Sequence, residues 1–177
     1  MGNNNLFHLT DDLQTISEYS FAHTVELGSD KKYGIWRDDV PYVLIEVDRA
    51  WNPFDDAYVF GNRVYVGNND KLIILDLDTL DCKNVACEMY FGYFYEYEDL
   101  LLVATGMKLM CFHKNGELKW QTETLAVDGV TFDNGSRDGK TIKVSCCMDP
   151  CPAMWCDKIV SVETGEVLYV GEVERFE

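Results

Sequence analysis

Four of the seven cysteines lie within the twelve residues SCCMDPCPAMWC, from Ser145 to Cys156. This density raises the question of a metal site, because cysteine thiolates are preferred ligands of zinc. Structural zinc sites usually begin with a Cys-x2-Cys pair that turns both sulfurs toward one point, whereas Cys146 and Cys147 are adjacent and would point to opposite faces of a strand. No histidine lies in this stretch. The spacing therefore predicts no metal ligands and no cofactor, and favours buried free thiols.

A hydrolase is the alternative function that the sequence leaves open, with metal-dependent or aspartate-based chemistry near Cys146 to Cys156. The three histidines, His8, His23 and His113, are scattered along the chain. The sequence contains no nucleophile elbow, phosphate-binding glycine loop or metalloprotease helix. We therefore predict a protein without catalytic residues.

Two tryptophans and two aspartates are the candidates for binding a partner. Trp51, in AWNPF, and Trp155, in PAMWC, lie beside prolines in predicted loops, where a large flat side chain often anchors a partner. Packing beneath the loop is the alternative role for each tryptophan. Asp128 and Asp149 lie in nearby loop segments and would add negative charge to the same surface.

The overall charge indicates the class of partner. With 31 acidic and 15 basic residues the formal net charge is -16, which repels nucleic acid and anionic lipid and favours a protein with a basic surface. The sequence has no apolar run long enough to span a membrane and no secretory leader pattern, and its irregularly spaced cysteines suit a reducing compartment. We therefore predict a non-catalytic cytoplasmic protein-binding module, such as an immunity-type or scaffold protein.

The candidate residues are expected to lie on β-strands or in the turns between them. Short runs rich in Val, Ile, Tyr and Phe dominate the chain, and turns that contain glycine or asparagine separate these runs. Such short turns join antiparallel neighbours. Near the N-terminus, Thr10 could cap a short helix with Leu13 and Ile16 directed inward, with a strand as the alternative. The predicted strands are 40–48, 63–67, 72–77, 89–97, 100–104, 109–113, 129–132, 141–147, 158–162 and 167–173.

Three segments share a pattern of an apolar strand, a tight turn and a second strand: ILDLDTLDCKN, MCFHKNGELKW and IVSVETGEVLY. Their turns begin at Thr79, Asn115 and Thr164, so successive copies are offset by 36 and 49 residues. Repeats of about this length are typical of the four-stranded blades of β-propellers.

The repeats resemble the tryptophan-docking motif of quinoprotein-type (PQQ-type) propeller blades, most clearly at Asn115, Gly116 and Trp120. The resemblance covers residues 57–173 and implies about three blades in a single domain, 1–177, with residues 1–50 as a cap segment. Since a closed propeller needs at least four blades, we expect an open antiparallel meander, with a β-sandwich or a homo-oligomer completed by a second copy as alternatives. The chain is also similar to small bacterial proteins of unknown function that carry an Asp-Gly-Val step, here Asp128 to Val130.

Overall fold

The computed structural model describes residues 6–137, 139–151 and 153–175, together with the side chains of these residues apart from 133–137. The described chain folds into four sheets of four strands each and one short helix. Sheet 1 contains β1 (Phe7–Thr10), β2 (His23–Leu27), β3 (Lys31–Arg37) and β4 (Val40–Val47), and sheet 2 contains β5 (Asp56–Phe60), β6 (Arg63–Asn68), β7 (Lys71–Asp76) and β8 (Cys82–Ala86). Sheet 3 contains β9 (Phe91–Tyr97), β10 (Leu100–Thr105), β11 (Leu109–His113) and β12 (Leu118–Gln121), and sheet 4 contains β13 (Val130–Arg137), β14 (Thr141–Cys147), β15 (Met154–Ser161) and β16 (Val167–Arg175).

The all-β prediction is confirmed. Sheets 2, 3 and 4 are antiparallel meanders in which each strand pairs with the next along the chain. Sheet 1 has the order β1-β3-β4-β2, and β2 pairs with β4 in parallel. The repeat motif indicates about three blades, whereas the structure has four sheets, because residues 7–47 form a sheet of their own. The hairpin between β3 and β4 of sheet 1 turns at Asp38 and Asp39, which both have positive φ. This hairpin therefore contains no glycine that could mark it in the sequence.

The four sheets stack in chain order, and a core of buried side chains lies in each space between neighbours. One core joins sheets 1 and 2, a second joins sheets 2 and 3, and a third joins sheets 3 and 4. Among the described residues no such core joins sheet 4 to sheet 1, so the stack is open. The burial patterns explain these cores, since central strands such as β7 and β10 are almost wholly buried on both faces.

The two outermost faces of the stack differ in chemistry. On sheet 1, Trp36 is buried beneath the rings of His8, Tyr19 and Phe21. The outer face of sheet 4 instead combines polar groups with apolar side chains such as Ile159 and Tyr169, and Ser145 Oγ donates a hydrogen bond of 2.6 Å to Asp157 Oδ1.

The only helix of the described chain, α1 (Leu13–Ser17), differs in detail from the prediction. Its N-cap is Asp12, whose carboxylate accepts hydrogen bonds from the Gln14 and Thr15 backbone N–H groups, and not Thr10. Ile16 is buried as predicted, whereas Leu13 is 60% exposed. The helix is far too short to cross a membrane, and no other helix is found in the described chain.

On each of sheets 1, 2 and 3, a planar side chain donates a hydrogen bond to a backbone carbonyl of the next sheet along the chain. Tyr42 Oη donates to the Leu77 carbonyl at 2.8 Å, and Trp120 Nε1 donates to the Val162 carbonyl at the same distance. Between sheets 2 and 3, Arg63 Nη1 donates to the Lys114 carbonyl at 3.1 Å. These contacts recur near the same point of each repeat, beside the turn between the third and fourth strands.

Gly165 makes the close approach of Trp120 possible. A Cβ atom at Gly165, where φ is +74°, would lie 2.6 Å from Cε3 of the Trp120 ring. The Trp120 ring therefore lies directly against the turn of sheet 4.

Candidate functional site

The connections between successive sheets all lie at one end of the stack, which we call the connection end. These connections are residues 48–55, 87–90 and 122–129. Because neighbouring strands are antiparallel, the turns between the second and third strands of sheets 2, 3 and 4 lie at the same end. The hairpin turns at Asp38, Gly61, Glu98 and Asn115 lie at the opposite end, which we call the turn end.

Backbone hydrogen bonds tie the loops of the connection end to one another. The Gly106 N–H donates to the Tyr90 carbonyl at 2.9 Å, and the Gly129 N–H donates to the Gly106 carbonyl at 2.7 Å. The Cys147 N–H then donates to the Gly129 carbonyl at 2.9 Å. This series runs from the start of sheet 3 to sheet 4, so the side chains that it carries are held in fixed relative positions.

A pocket of about 260 Å³ opens at the connection end, where loops of sheets 2, 3 and 4 meet. Four aromatic residues and one carboxylate supply its functional side chains. We call it the aromatic–acid pocket, and its remaining lining is formed by small or β-branched residues such as Gly92 and Thr105. Its principal side chains are Phe54, Tyr90, Tyr93, Asp128 and Trp155.

The aromatic side of the pocket is a set of rings in mutual contact. Phe54 and Tyr90 are stacked with centroids 5.6 Å apart and planes 11° apart. Tyr93 meets Phe54 edge to face at 5.3 Å. Phe54 and Tyr90 are half-buried, whereas Tyr93 is 42% exposed, so the rings present flat apolar surface to a ligand that enters from solvent.

Asp128 places a negative charge against these rings. Tyr90 Oη donates a hydrogen bond of 2.9 Å to Asp128 Oδ1. Burial raises the pKa of Tyr90, and its hydrogen bond to Asp128 and the charge of that carboxylate raise the pKa further. Tyr90 therefore stays protonated and continues to donate to Asp128 at neutral pH. In the described chain no lysine or arginine forms an ion pair with Asp128, so its charge is not neutralised.

Gly106 leaves room for the Tyr90 ring, and Gly129 supplies a backbone turn beside it. A Cβ atom at Gly106 would lie 2.9 Å from Cε1 of the Tyr90 ring, and one at Gly129 would lie 3.4 Å from Tyr90 Oη. Gly129 also has a φ of +126°, which side-chain-bearing residues rarely adopt. The Asp128-Gly129 step therefore brings a carboxylate and a tight backbone turn to the same tyrosine.

The structure places all four predicted binding residues at the connection end, but it gives them different surroundings. Asp128 and Trp155 line the aromatic–acid pocket, although Trp155 belongs to strand β15 and not to a loop as predicted. Trp51 is 72% exposed and lies outside the pocket, with its backbone N–H bonded to Asn69 Oδ1. Asp149 accepts hydrogen bonds from the backbone N–H groups of Ala153 and Met154, so its carboxylate holds its own loop together.

The four cysteines of the stretch from Ser145 to Cys156 have different surroundings: three are buried and one is exposed. Cys146 packs into the core between sheets 3 and 4, where burial raises the pKa of its thiol to about 12. The next residue, Cys147, is outside that core and its Sγ contacts the Asp149 carbonyl at 3.0 Å. Cys151 is exposed and Cys156 is buried. Among residues 6–137, 139–151 and 153–175, no three His, Cys, Asp or Glu side chains are grouped so that they could hold a metal ion.

Phe54, Tyr90 and Tyr93 were not among the predicted site residues. Each belongs to a loop or strand that is distant in sequence from Asp128 and Trp155, so composition alone does not bring them together. The repeat does contain a usable signal, because Phe54 and Tyr90 are 36 residues apart, the same offset as between the turns at Thr79 and Asn115. The two rings therefore occupy equivalent positions in successive sheets.

Comparison with known proteins relates the chain to others by fold alone. No protein-family model and no curated protein sequence matches it. Among solved structures, the computationally designed protein Ika8 aligns over 81% of this chain and 44% of its own length, with 10% identity and a TM-score of 0.54. Hsv2 of Kluyveromyces lactis aligns over 81% of this chain and 46% of its own, with 13% identity and a TM-score of 0.51.

BamB from Moraxella catarrhalis, a β-propeller, aligns over 84% of this chain and 47% of its own length, with 14% identity and a TM-score of 0.50. The chain thus spans a little under half the length of each of these three structures. The fold is propeller-like. At these identities the likeness extends to the fold only, and no sequence relative supports quinoprotein-type repeats in particular.

Proposed function

We propose that this protein is a non-catalytic binding module that holds a partner protein with a basic surface at its connection end. The observation that carries the proposal is the aromatic–acid pocket, in which exposed ring surface and the unneutralised Asp128 carboxylate lie on a rigid set of loops. Tyrosine and tryptophan are enriched in protein interfaces, because they bury a large apolar area and retain a polar group at the edge. Trp51, 72% exposed at the same end, would extend the contact area beyond the pocket.

The charge of the whole protein supports a basic partner. A net charge of -16 attracts a positively charged surface over several ångströms and speeds its association. The same charge disfavours nucleic acid as the ligand. In the described chain no histidine forms a hydrogen bond with a serine, threonine or cysteine, so no observation favours the hydrolase alternative.

Affinity capture with matched variants tests this proposal. We expect the wild-type protein to retain a partner whose retention decreases steeply as salt is raised from about 0.05 to 0.3 M. Asp128→Asn removes one charge at the pocket and should reduce retention of that partner, whereas Asp39→Asn removes the same charge from an exposed site at the turn end and should not. Equal retention by both variants, or retention that does not depend on salt, would contradict the proposed function.

A further inference from the structure

We infer that the aromatic–acid pocket receives an arginine side chain of the partner. This inference rests on the proposed function and adds to it the chemical group that is recognised. Three features of the pocket carry it: flat aromatic faces, a carboxylate that has no cationic partner within the described chain, and a restrained orientation of that carboxylate.

The carboxylate has one oxygen available for a ligand. Tyr90 Oη donates to Asp128 Oδ1, and no described side chain donates to Oδ2. A carboxylate that is partly removed from water and lacks a counter-charge is unfavourable on its own, so a cationic ligand would compensate for its burial. The hydrogen bond from Tyr90 to Oδ1 also restrains the rotation of the carboxylate.

The aromatic walls discriminate between the two possible cationic side chains. A guanidinium group is planar, is weakly hydrated and stacks on aromatic faces while its edge donates hydrogen bonds to a carboxylate. An ammonium group is compact and strongly hydrated, so it gains less from ring faces that exclude water. Tyr93, which is 42% exposed on sheet 3, and Trp155, on sheet 4, both line the pocket and offer ring surface on which a planar group could stack.

The rigidity of the site also favours a specific ligand over general attraction to acidic surface. The hydrogen bonds that link Tyr90, Gly106, Gly129 and Cys147 hold the aromatic and acidic sides of the pocket at a constant separation. Asp99 and Glu163, two other acidic residues of the surface, already pair with lysines. Asp128 is therefore distinguished from them by both its aromatic surroundings and its lack of an ion-pair partner.

An NMR titration with three small probes tests the inference. The probes are the N-acetyl amides of arginine, lysine and citrulline, and citrulline has nearly the shape of arginine without its charge. We expect the arginine probe to shift the Trp155 indole N–H resonance saturably and to bind about tenfold more tightly than the citrulline probe. The lysine probe should bind more weakly than the arginine probe.

Variants separate this inference from the proposed function. Asp128→Asn should weaken binding of the arginine probe about tenfold. Tyr93→Ala changes a partly exposed residue, so this variant should fold normally and should also weaken binding of the arginine probe. Asp39→Asn should leave the affinity unchanged. Equal binding of the citrulline probe, tighter binding of the lysine probe, or no saturable shift would overturn the arginine assignment. If the arginine assignment fails but capture of the partner still depends on Asp128, the proposed function is retained and the pocket recognises a different group of the partner.

Discussion

At the scale of single residues, Trp120 and Trp51 play different parts, which their burial and contacts explain. Trp120 is 8% exposed, lies against Gly165 and donates its indole N–H to the Val162 carbonyl. Trp51 is 72% exposed. The first residue joins two sheets, whereas the second is available to a partner.

Replacing Trp120 by alanine should therefore destabilise the protein by about 3 to 5 kcal/mol, as expected when a buried aromatic side chain is truncated. The matched variant Trp51→Ala should change the free energy of unfolding by less than about 0.5 kcal/mol, because that side chain lies at the surface. Urea unfolding of both variants checks the prediction. Similar stabilities for the two would show that Trp120 does not hold sheets 3 and 4 together.

Buried thiols make stability depend on pH in the alkaline range. Burial raises the pKa of Cys87, Cys111 and Cys146 to about 12, from an ordinary value of 9.0. Above pH 9 these thiols ionise in the unfolded chain but stay protonated in the folded one, so their contribution to stability is complete below pH 9 and is lost as pH rises toward 12.

We therefore expect the free energy of unfolding to decrease between pH 8 and pH 10.5, and Cys146→Ala to weaken that dependence. Urea unfolding across this range measures both effects. A stability that stays constant or increases over the range would contradict the described burial of the thiols.

At the scale of elements, a glycine in β6 sets how closely sheets 2 and 3 approach. A Cβ atom at Gly67 would lie 2.3 Å from the ring of Phe91, which is fully buried in the core between these sheets. Gly67→Ala should therefore cost about 1 to 3 kcal/mol through overpacking.

The double variant Gly67→Ala with Phe91→Leu tests whether the ring is the cause. Removal of the ring relieves the clash, so the double variant should be less destabilised than the sum of the two single changes. Thermal unfolding of the four proteins measures this difference. Additive costs would show that the two residues are not in close contact.

Much of the element structure could be predicted from the sequence, and the failures have identifiable causes. Each of the ten predicted strands overlaps an observed strand, because apolar runs and glycine turns are local signals. Strands β1, β2, β3 and β5 have no counterpart among the predicted strands, and β8 and β12 are anticipated only as second strands of the repeat. In sheet 1, β2 pairs in parallel with a strand that is distant along the chain, and the hairpin turns at Asp38-Asp39 without glycine.

The candidate site could be predicted only in part. Asp128 and Trp155 are both predicted from a loop context and the structure brings both into one pocket, but the loop prediction is wrong for Trp155, which lies in β15. Asp149 is also predicted from its position in a loop. Its carboxylate instead accepts hydrogen bonds from backbone N–H groups of that loop, and the sequence does not reveal such bonds. The rings of Phe54 and Tyr90 come together through the stacking of sheets, which no local pattern specifies.

At the scale of the whole molecule, the open stack and its charge determine how the protein behaves in solution. The formal charge of -16 is spread over a chain of 177 residues, and like charges repel one another in the compact state. Sodium chloride raised from about 0.01 to 0.15 M shortens the reach of this repulsion to about 8 Å.

Moderate salt should therefore stabilise the protein by roughly 1 kcal/mol, which corresponds to about 2 to 4 °C in Tm for a chain of this size. Surface ion pairs such as Lys114–Asp99 oppose this effect only weakly, because exposed pairs contribute little. Thermal unfolding over this salt range provides the measurement. A Tm that decreases as salt is added would show that attractive pairs outweigh the repulsion.

The central claim is that the connection end is the surface that binds a partner. Hydrogen–deuterium exchange of the protein with and without its captured basic partner tests this most directly. We predict slower exchange in residues 48–55, 87–90 and 122–129, with no change in the hairpin turns at Asp38, Gly61 and Asn115. Protection confined to those turns, or to the exposed edge strand β16, would contradict the account.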